Sequence, residues 1–191
     1  MTRTLIVRRA RDDADLDAIV HLRAEAEQWL RDRGIRQWTD DYHDYARGVL
    51  RDSVDHGAAW VFEDDGTVIA TVTINGPDPD FWAWADDQDA GLYLGKMIVA
   101  RSHAGRQIGD AIMNWASRRA VQSGKQWVRL DCRRDNTRLH AYYLDHGFTY
   151  LRTYHSPSRR TESGWLAQRP AGLLIPVLIE VIESVPPGEP M

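Results

Sequence analysis

The segment His103-Ala104-Gly105-Arg106-Gln107-Ile108-Gly109 has the residue types and spacing to hold an anion. It joins an apolar, strand-like run to a run with helical spacing. Small residues let backbone N–H groups approach a ligand, and the start of a helix adds its positive dipole. A diphosphate suits such a turn, with Arg106 as a charged contact. A purely structural reading stands beside this one: Gly105 makes the turn, and Gly109 lets the helix lie close to a sheet. The segment has no Gly-Lys-Ser/Thr as in the Walker A loop of nucleoside triphosphatases, and it lacks the first glycine of the GxGxxG dinucleotide pattern.

A second group follows: Asp131, Asn136, Tyr143, Gly147 and Phe148. Here too the residues have structural readings. Asp131 can pair with Arg129, Arg133 or a backbone N–H. Asn136 can cap a helix, and Tyr143 can fill a core.

The elements that must position these groups are legible in outline. Residues 4–9, TLIVRR, predict a strand. Asp12 and Asp13 predict a helix start, and apolar residues from Leu16 to Leu30 recur at helical spacing until Gly34. A second helix is expected after the Thr39-Asp40-Asp41 cap, ending at Gly57. AAWVFE and TVIATVTI around Asp64-Asp65-Gly66 predict a hairpin. Residues 76–91, with two prolines and five aspartates, are expected to be a loop. A strand over about 92–99 is followed by a helix from about 106 to Gly124, with Ile108, Ala111, Ile112, Trp115 and Ala116 on one face. Then come a strand at 127–132, a helix from Asn136 to Gly147 and a strand from Phe148. One or two strands lie between 163 and 184, with Pro176 at an edge or bulge. Strand, long helix, strand implies a parallel central pair, and the hairpin adds antiparallel strands beside it. The expected fold is α/β (α+β): a mixed sheet of about six to seven strands with four main helices. It is read as one domain over 1–185 with a disordered tail, 186–191.

Composition sets further bounds. Of 191 residues, 43% are hydrophobic and 27% charged, as in an ordinary globular domain. The net charge of −4 gives no basic field for nucleic acid or an anionic membrane. No apolar run approaches the roughly 20 residues of a membrane-spanning helix. The N-terminus lacks the apolar core of a signal peptide, and the single cysteine, Cys132, suits a reducing cytosol. Seven scattered histidines offer no metal-ligand spacing, so no metal is expected.

The two groups together resemble the GCN5-related N-acetyltransferase (GNAT) superfamily. The likeness rests on a glycine turn after a strand, then on Asn136, Tyr143, Gly147 and Phe148 at the family's N-x(7)-Y-x(3)-G-F spacing. The turn departs from the pattern. Ala104 stands at a usual Gln/Arg position and Gln107 at a usual glycine, which removes backbone freedom there. The resemblance implies a splayed sheet that takes acetyl-CoA between two parallel strands, with Gly95 as a bulge. The strand edge Met97, Ile98 and Val99 would pair with the pantetheine arm. The turn Gly105, Arg106, Gln107, Ile108, Gly109 and Asp110 would hold the pyrophosphate, and Asn136 would face the cofactor arm. Tyr143 would protonate the departing coenzyme A thiolate; a phenol suits this, being neutral at pH 7 yet able to donate at short range. Asp131 would be the general base, directly or through water, with the aspartates of 78–89, Glu25 and Glu27 as other candidates.

In such a protein the acceptor site is walled by the first two helices and the variable loops. Trp29, Trp38, Trp82 and Trp84 with the acids of 78–89 are candidates for an aromatic, acidic pocket that favours an amine cation; a solvated acidic loop is the competing reading. The expected activity is acetyl-CoA-dependent N-acetyl transfer to a small-molecule primary amine. A protein N-terminal or lysine acetyltransferase is the alternative, and a non-catalytic acyl-CoA sensor is the alternative from another class. A cytoplasmic location is expected, without nucleic-acid or membrane partners; a homodimer is left open.

Overall fold

The computed structural model describes residues 3–35, 43–85, 87–157 and 162–184. Among the described residues eight strands alternate with five α-helices, and the strands order as β6-β7-β5-β4-β3-β2-β1-β8 in a mixed sheet. The elements are β1 (Arg3–Arg9), α1 (Asp13–Arg31), α2 (His43–Asp55), β2 (Ala59–Asp64), β3 (Thr67–Asn75), α3 (Pro79–Trp82), β4 (Gly91–Val99), α4 (Ile108–Gln122), β5 (Trp127–Arg133), α5 (Thr137–Asp145), β6 (Thr149–Thr153), β7 (Ser163–Pro170) and β8 (Ile179–Glu183). The chain groups into two compact units: Met1–Thr73 with Lys96–Ala111 and Val177–Met191, and Ile74–Gly95 with Ile112–Pro176.

In the first unit Asp12 caps α1, accepting the Asp15 N–H at 3.0 Å. β2 and β3 form the expected hairpin, and its two turn residues, Asp65 (φ 49) and Gly66 (φ 76), take the left-handed pair of a type I′ turn. β1 lies antiparallel to β2 and parallel to β8. Leu16 and Ile19 of α1 meet Leu50 and Val54 of α2 and Val61 of β2 in one core cluster. Arg8 reaches both Asp15 and Glu63, tying β1 to α1 and β2.

In the second unit β4 pairs in parallel with β5, Gly91↔Trp127 through Leu94↔Leu130. β5 runs on to Arg133 against antiparallel β7, and β7 is flanked by β6. α4, which joins β4 to β5, buries the face foreseen from its spacing. Buried Arg129 is the hub of the loop before β4: it donates to Asp87, Gln168 and the Tyr93 hydroxyl.

Two expectations need correction. The sheet has eight strands, because 163–184 supplies two, β7 and β8, with Pro176 in the connection between them. Segment 76–91 is not wholly irregular. Asp78 accepts the Asp80 N–H and Pro79 sits at the first helical position, so the short helix α3 forms, and a one-turn 3₁₀ helix follows at Gln88–Ala90. Proline and aspartate start a helix here. In the middle of β4, Lys96 (φ 48), next to Gly95, takes left-handed backbone. The proposed tail 186–191 and the Thr39-Asp40-Asp41 cap lie outside the described residues.

Candidate functional site

In the second unit, Asn136 caps α5: its Oδ1 accepts the Leu139 N–H at 3.1 Å. The cap uses the amide oxygen and leaves the Nδ2 group a separate donor. Two turns later Tyr143 is 8% exposed. The Tyr-x(3)-Gly-Phe spacing has a physical reason. Gly147 (φ +80) ends α5 in left-handed backbone, and the Phe148 N–H then folds back onto the Tyr143 carbonyl at 3.1 Å. The Phe148 ring meets the Tyr143 ring edge-on, centroids 5.4 Å apart, and Tyr142 does the same at 5.6 Å. The phenol is thereby fixed.

Beneath it, β5 supplies Asp131 and Cys132. Cys132 is buried, and burial followed by the charge of Asp131 pushes its thiol up to about 12. Tyr143 is shifted the same way, upward, by burial first and then by Cys132, Tyr142 and Asp131. Asp131 is half-buried and acts electrostatically on both. Arg133 pairs with Asp135, and Arg129 with Asp87. Cys132 was read in the sequence only for disulfides; its place beside Asp131 on a strand bearing a candidate base was the available signal.

In the first unit, Met97 and Val99 are half-buried and Ile98 is buried in the second half of β4. The chain leaves β4 with the Ala100 N–H bonded to the Ile69 carbonyl at 2.8 Å. Arg101 then donates its backbone N–H to Glu25 Oε2 at 2.8 Å, opening a one-turn 3₁₀ helix, Arg101–His103. The turn itself, Ala104 to Gln107, is exposed, while Ile108 anchors it in the core. Gly105 (φ +75) and Gln107 (φ +58) are both left-handed. Gln107 therefore keeps a glycine-like backbone at the cost of strain. A Cβ at Gly105 would meet nothing within 4 Å, so its surface is open to a ligand. The first bond of α4 runs from the Ala111 N–H to the Gln107 carbonyl at 3.1 Å. The N–H groups of Ile108, Gly109 and Asp110 have no acceptor within the helix, as at any helix start. His103 titrates below its ordinary value, through burial first and then the nearby Arg3 and Arg106.

Trp29, Trp82 and Trp84 lie among the described residues, and Trp82 and Trp84 stack with ring centroids 6.2 Å apart. Trp82 is 1% exposed and sits in a core cluster with Phe81, Tyr93 and Leu166, where Arg129 lies 5.3 Å from its ring. Trp84 is exposed, but Arg152 lies 5.3 Å over it and its Nε1 donates to the Phe81 carbonyl. Trp29 carries the guanidinium groups of Arg33 and Arg101 at 4.1 and 3.9 Å. The cations that these rings attract are the protein's own arginines. Two of the loop acids are also engaged, Asp78 as a cap and Asp87 by Arg129. Glu25 is held by the Arg101 N–H, and Glu27 is buried near Arg31. Trp38 lies outside the described residues. Among the described residues no helix is long and apolar enough to cross a membrane.

Comparison with known proteins meets this geometry. The model of the acetyltransferase (GNAT) family matches residues 23–148. An uncharacterized N-acetyltransferase of Bacillus subtilis (strain 168), YesJ, is 32% identical over 146 residues, covering 72% of this chain and 78% of that protein. Among solved structures, a GNAT-family acetyltransferase from Listeria monocytogenes 4b F2365 superposes with a TM-score of 0.69 at 22% identity, covering 87% of this chain and 94% of that one. The PaiA N-acetyltransferase of Thermoplasma acidophilum, solved in complex with coenzyme A, superposes with a TM-score of 0.64 at 15% identity, covering 87% and 98%. At these identities the two structures establish a shared fold.

Proposed function

The chain belongs to the acetyltransferase (GNAT) family, and from that premise we propose that it moves the acetyl group of acetyl-CoA directly onto the primary amine of a small molecule. Acetyl-CoA is the co-substrate and supplies an activated acyl carbon. What supports a diphosphate at the 105–110 turn is the exposure of residues 105–107, the open face of Gly105 and the start of α4, where the first N–H groups of a helix have no partner within it. Arg106, exposed in the same turn, adds charge. Met97, Ile98 and Val99 would offer backbone groups to the pantetheine arm, and Asn136 its Nδ2.

The observation that carries direct transfer is the shared surroundings of Tyr143 and Cys132. A thiol pushed up to about 12 is protonated at neutral pH. Only about one molecule in 10⁵ would hold a thiolate at pH 7, so Cys132 is no acyl-accepting nucleophile. The same surroundings act on any sulfur released there. Burial makes the Tyr143 phenol a reluctant acid, and it would likewise make a thiolate released beside it a stronger base. Tyr143 thus delivers its proton to sulfur as the C–S bond breaks and the N–C bond forms. Asp131 takes the proton the amine loses, directly or through water, and its negative charge helps keep the Tyr143 phenol protonated until sulfur accepts the proton. Solvent restores the phenol's proton.

Three measurements test this. Thiol release from acetyl-CoA over a panel of small amines, with N-terminal peptides as a second arm, should give turnover on small amines and an N-acetylated product by mass. Initial velocities should give intersecting lines. Parallel lines with acetylated Cys132 would overturn direct transfer. Turnover on peptides alone would move the acceptor to protein N-termini, and tight binding without turnover on either arm would make the protein an acyl-CoA sensor.

A further inference from the structure

The one-turn 3₁₀ helix Arg101–His103 has no cap of its own. Ala100 stands at the N-cap position and makes no side-chain bond there. The Ala100 N–H still pairs with the Ile69 carbonyl of β3, but one residue later the chain has left the sheet. The Arg101 N–H would then go unmet, as the first N–H groups of a helix do. Glu25 of α1 meets it. Its Oε2 accepts that N–H at 2.8 Å from 76 residues away in the chain. A carboxylate bonded to a backbone N–H at a helix start is the charge-assisted form of a cap.

The same helix grips Arg101 a second time. Trp29 lies one turn beyond Glu25 on α1, so the two side chains share a face. The Arg101 guanidinium carbon lies 3.9 Å from the centre of the Trp29 ring. The Arg101 Nε is buried without a hydrogen bond, so packing on the ring, not a bond at Nε, holds that end. Leu16, Ile19 and Leu22 seat α1 in the core, which gives the two contacts a fixed base.

The exposed part of the turn hangs from Arg101. The Ala104 N–H bonds to the Arg101 carbonyl at 3.2 Å and the Arg106 N–H to the His103 carbonyl at 3.3 Å, both at the long end for such bonds. His103 Nε2 lies 3.9 Å from Asp64, beyond hydrogen-bond reach. The firm anchors are therefore Arg101 on one side and buried Ile108 on the other. Backbone donors bind an anion more tightly when their direction is set in advance. We propose that Glu25 and Trp29 are positioning residues for the cofactor: they fix Arg101, and through it the pose in which the turn meets the diphosphate of acetyl-CoA. This rests on the turn being the diphosphate site, and it removes Glu25 from the candidates for general base.

Glu25→Ala and Glu25→Gln separate the bond from the charge, since the amide oxygen of glutamine can still accept the Arg101 N–H. Hydrogen exchange of the free protein is read at His103, Ala104 and Arg106, whose own carbonyl partners both variants leave in place. Glu25→Ala should speed that exchange on the order of tenfold. It should weaken coenzyme A about tenfold in calorimetry and raise KM for acetyl-CoA to match, with kcat within about threefold. Glu25→Gln should return exchange, affinity and KM toward the wild-type values. Trp29→Leu leaves the Glu25 bond standing and should move exchange and affinity in the same direction, so the matter is decided even if Glu25→Ala does not fold. Unchanged exchange in Glu25→Ala and Trp29→Leu, or a glutamine variant as impaired as the alanine one, would overturn the proposal. So would a fall in kcat for Glu25→Gln at unchanged KM, which would make Glu25 a base. The exchange arm needs no ligand, so a failure of the underlying reading shows separately: Arg106→Ala and Gln107→Val, each with wild-type affinity for coenzyme A, would take the diphosphate away from the turn and overturn the cofactor role of Glu25 and Trp29 with it.

Discussion

The phenol of Tyr143 on α5 and the thiol of Cys132 on β5 lie within electrostatic reach of each other, and both hold their protons more tightly than in water. Burial is the first cause for each, and the carboxylate of Asp131 acts on both in the same direction. The pair makes a place where a proton donor is kept loaded and a thiolate is disfavoured.

Tyr143→Phe tests the donor. Removing one oxygen should leave the edge-on contacts with Phe148 and Tyr142 in place. The expected result is a fall in kcat of about 10² with KM for acetyl-CoA nearly unchanged. Because the phenol titrates above its ordinary value, the wild-type rate should show no loss from its ionisation below about pH 10. A Phe variant with wild-type kcat would remove Tyr143 from the chemistry.

Cys132 reports on the same surroundings without any substrate. Moving a thiol from an ordinary 9.0 to about 12 lowers its thiolate fraction at pH 8 on the order of 10³-fold. Alkylation by iodoacetamide in native buffer should slow at least that much against the unfolded chain in urea. Native labelling as fast as a free thiol's would mean that the pocket is wetter and less negative than described.

Asp15 gives the fold a measurable acid sensitivity. Burial would raise its pKa, but Arg8 and the Arg11 N–H overcome this and hold it below the ordinary carboxylate value. A depressed folded value stabilises the protein above the unfolded value of about 3.8, and that stability is lost as pH falls through the folded value. Asp15→Asn should therefore cost roughly 3 kcal/mol in urea unfolding at pH 7 and progressively less below about pH 4. An equal cost at pH 7 and pH 3 would show that the carboxylate's charge is not what Arg8 uses.

Local chemistry made some of this architecture legible. Asp64-Asp65-Gly66 announces a type I′ turn because only such residues accept two left-handed conformations in a row. Asn136 and Gly147 mark both ends of α5 for similar reasons. What stayed hidden depends on distant partners. Trp82 looks like a loop residue until Arg129 and Tyr93, far along the chain, close over it. The parallel pairing of β8 with β1 joins opposite ends of the chain, and no local signal encodes it. Pro79 between Asp78 and Asp80 carries both breaker and cap signals, and the geometry of Asp78 decided for a helix.

Gln107 shows how an irregular motif can keep its shape. Its φ of +58 puts a side-chain-bearing residue where glycine is at ease. Left-handed backbone costs such a residue about 1 kcal/mol or more, partly offset by the greater freedom glycine has when unfolded. Gln107→Gly should thus stabilise the protein by about 0.5 kcal/mol. Gln107→Val, whose branched Cβ tolerates this region worst, should destabilise it by more than about 1 kcal/mol. If the turn holds the diphosphate through its backbone, the Gly variant should keep or lower KM for acetyl-CoA, while the Val variant should raise it without a matching fall in kcat. Equal destabilisation by Gly and Val would mean that the Gln107 side chain, rather than its backbone, is what the turn requires.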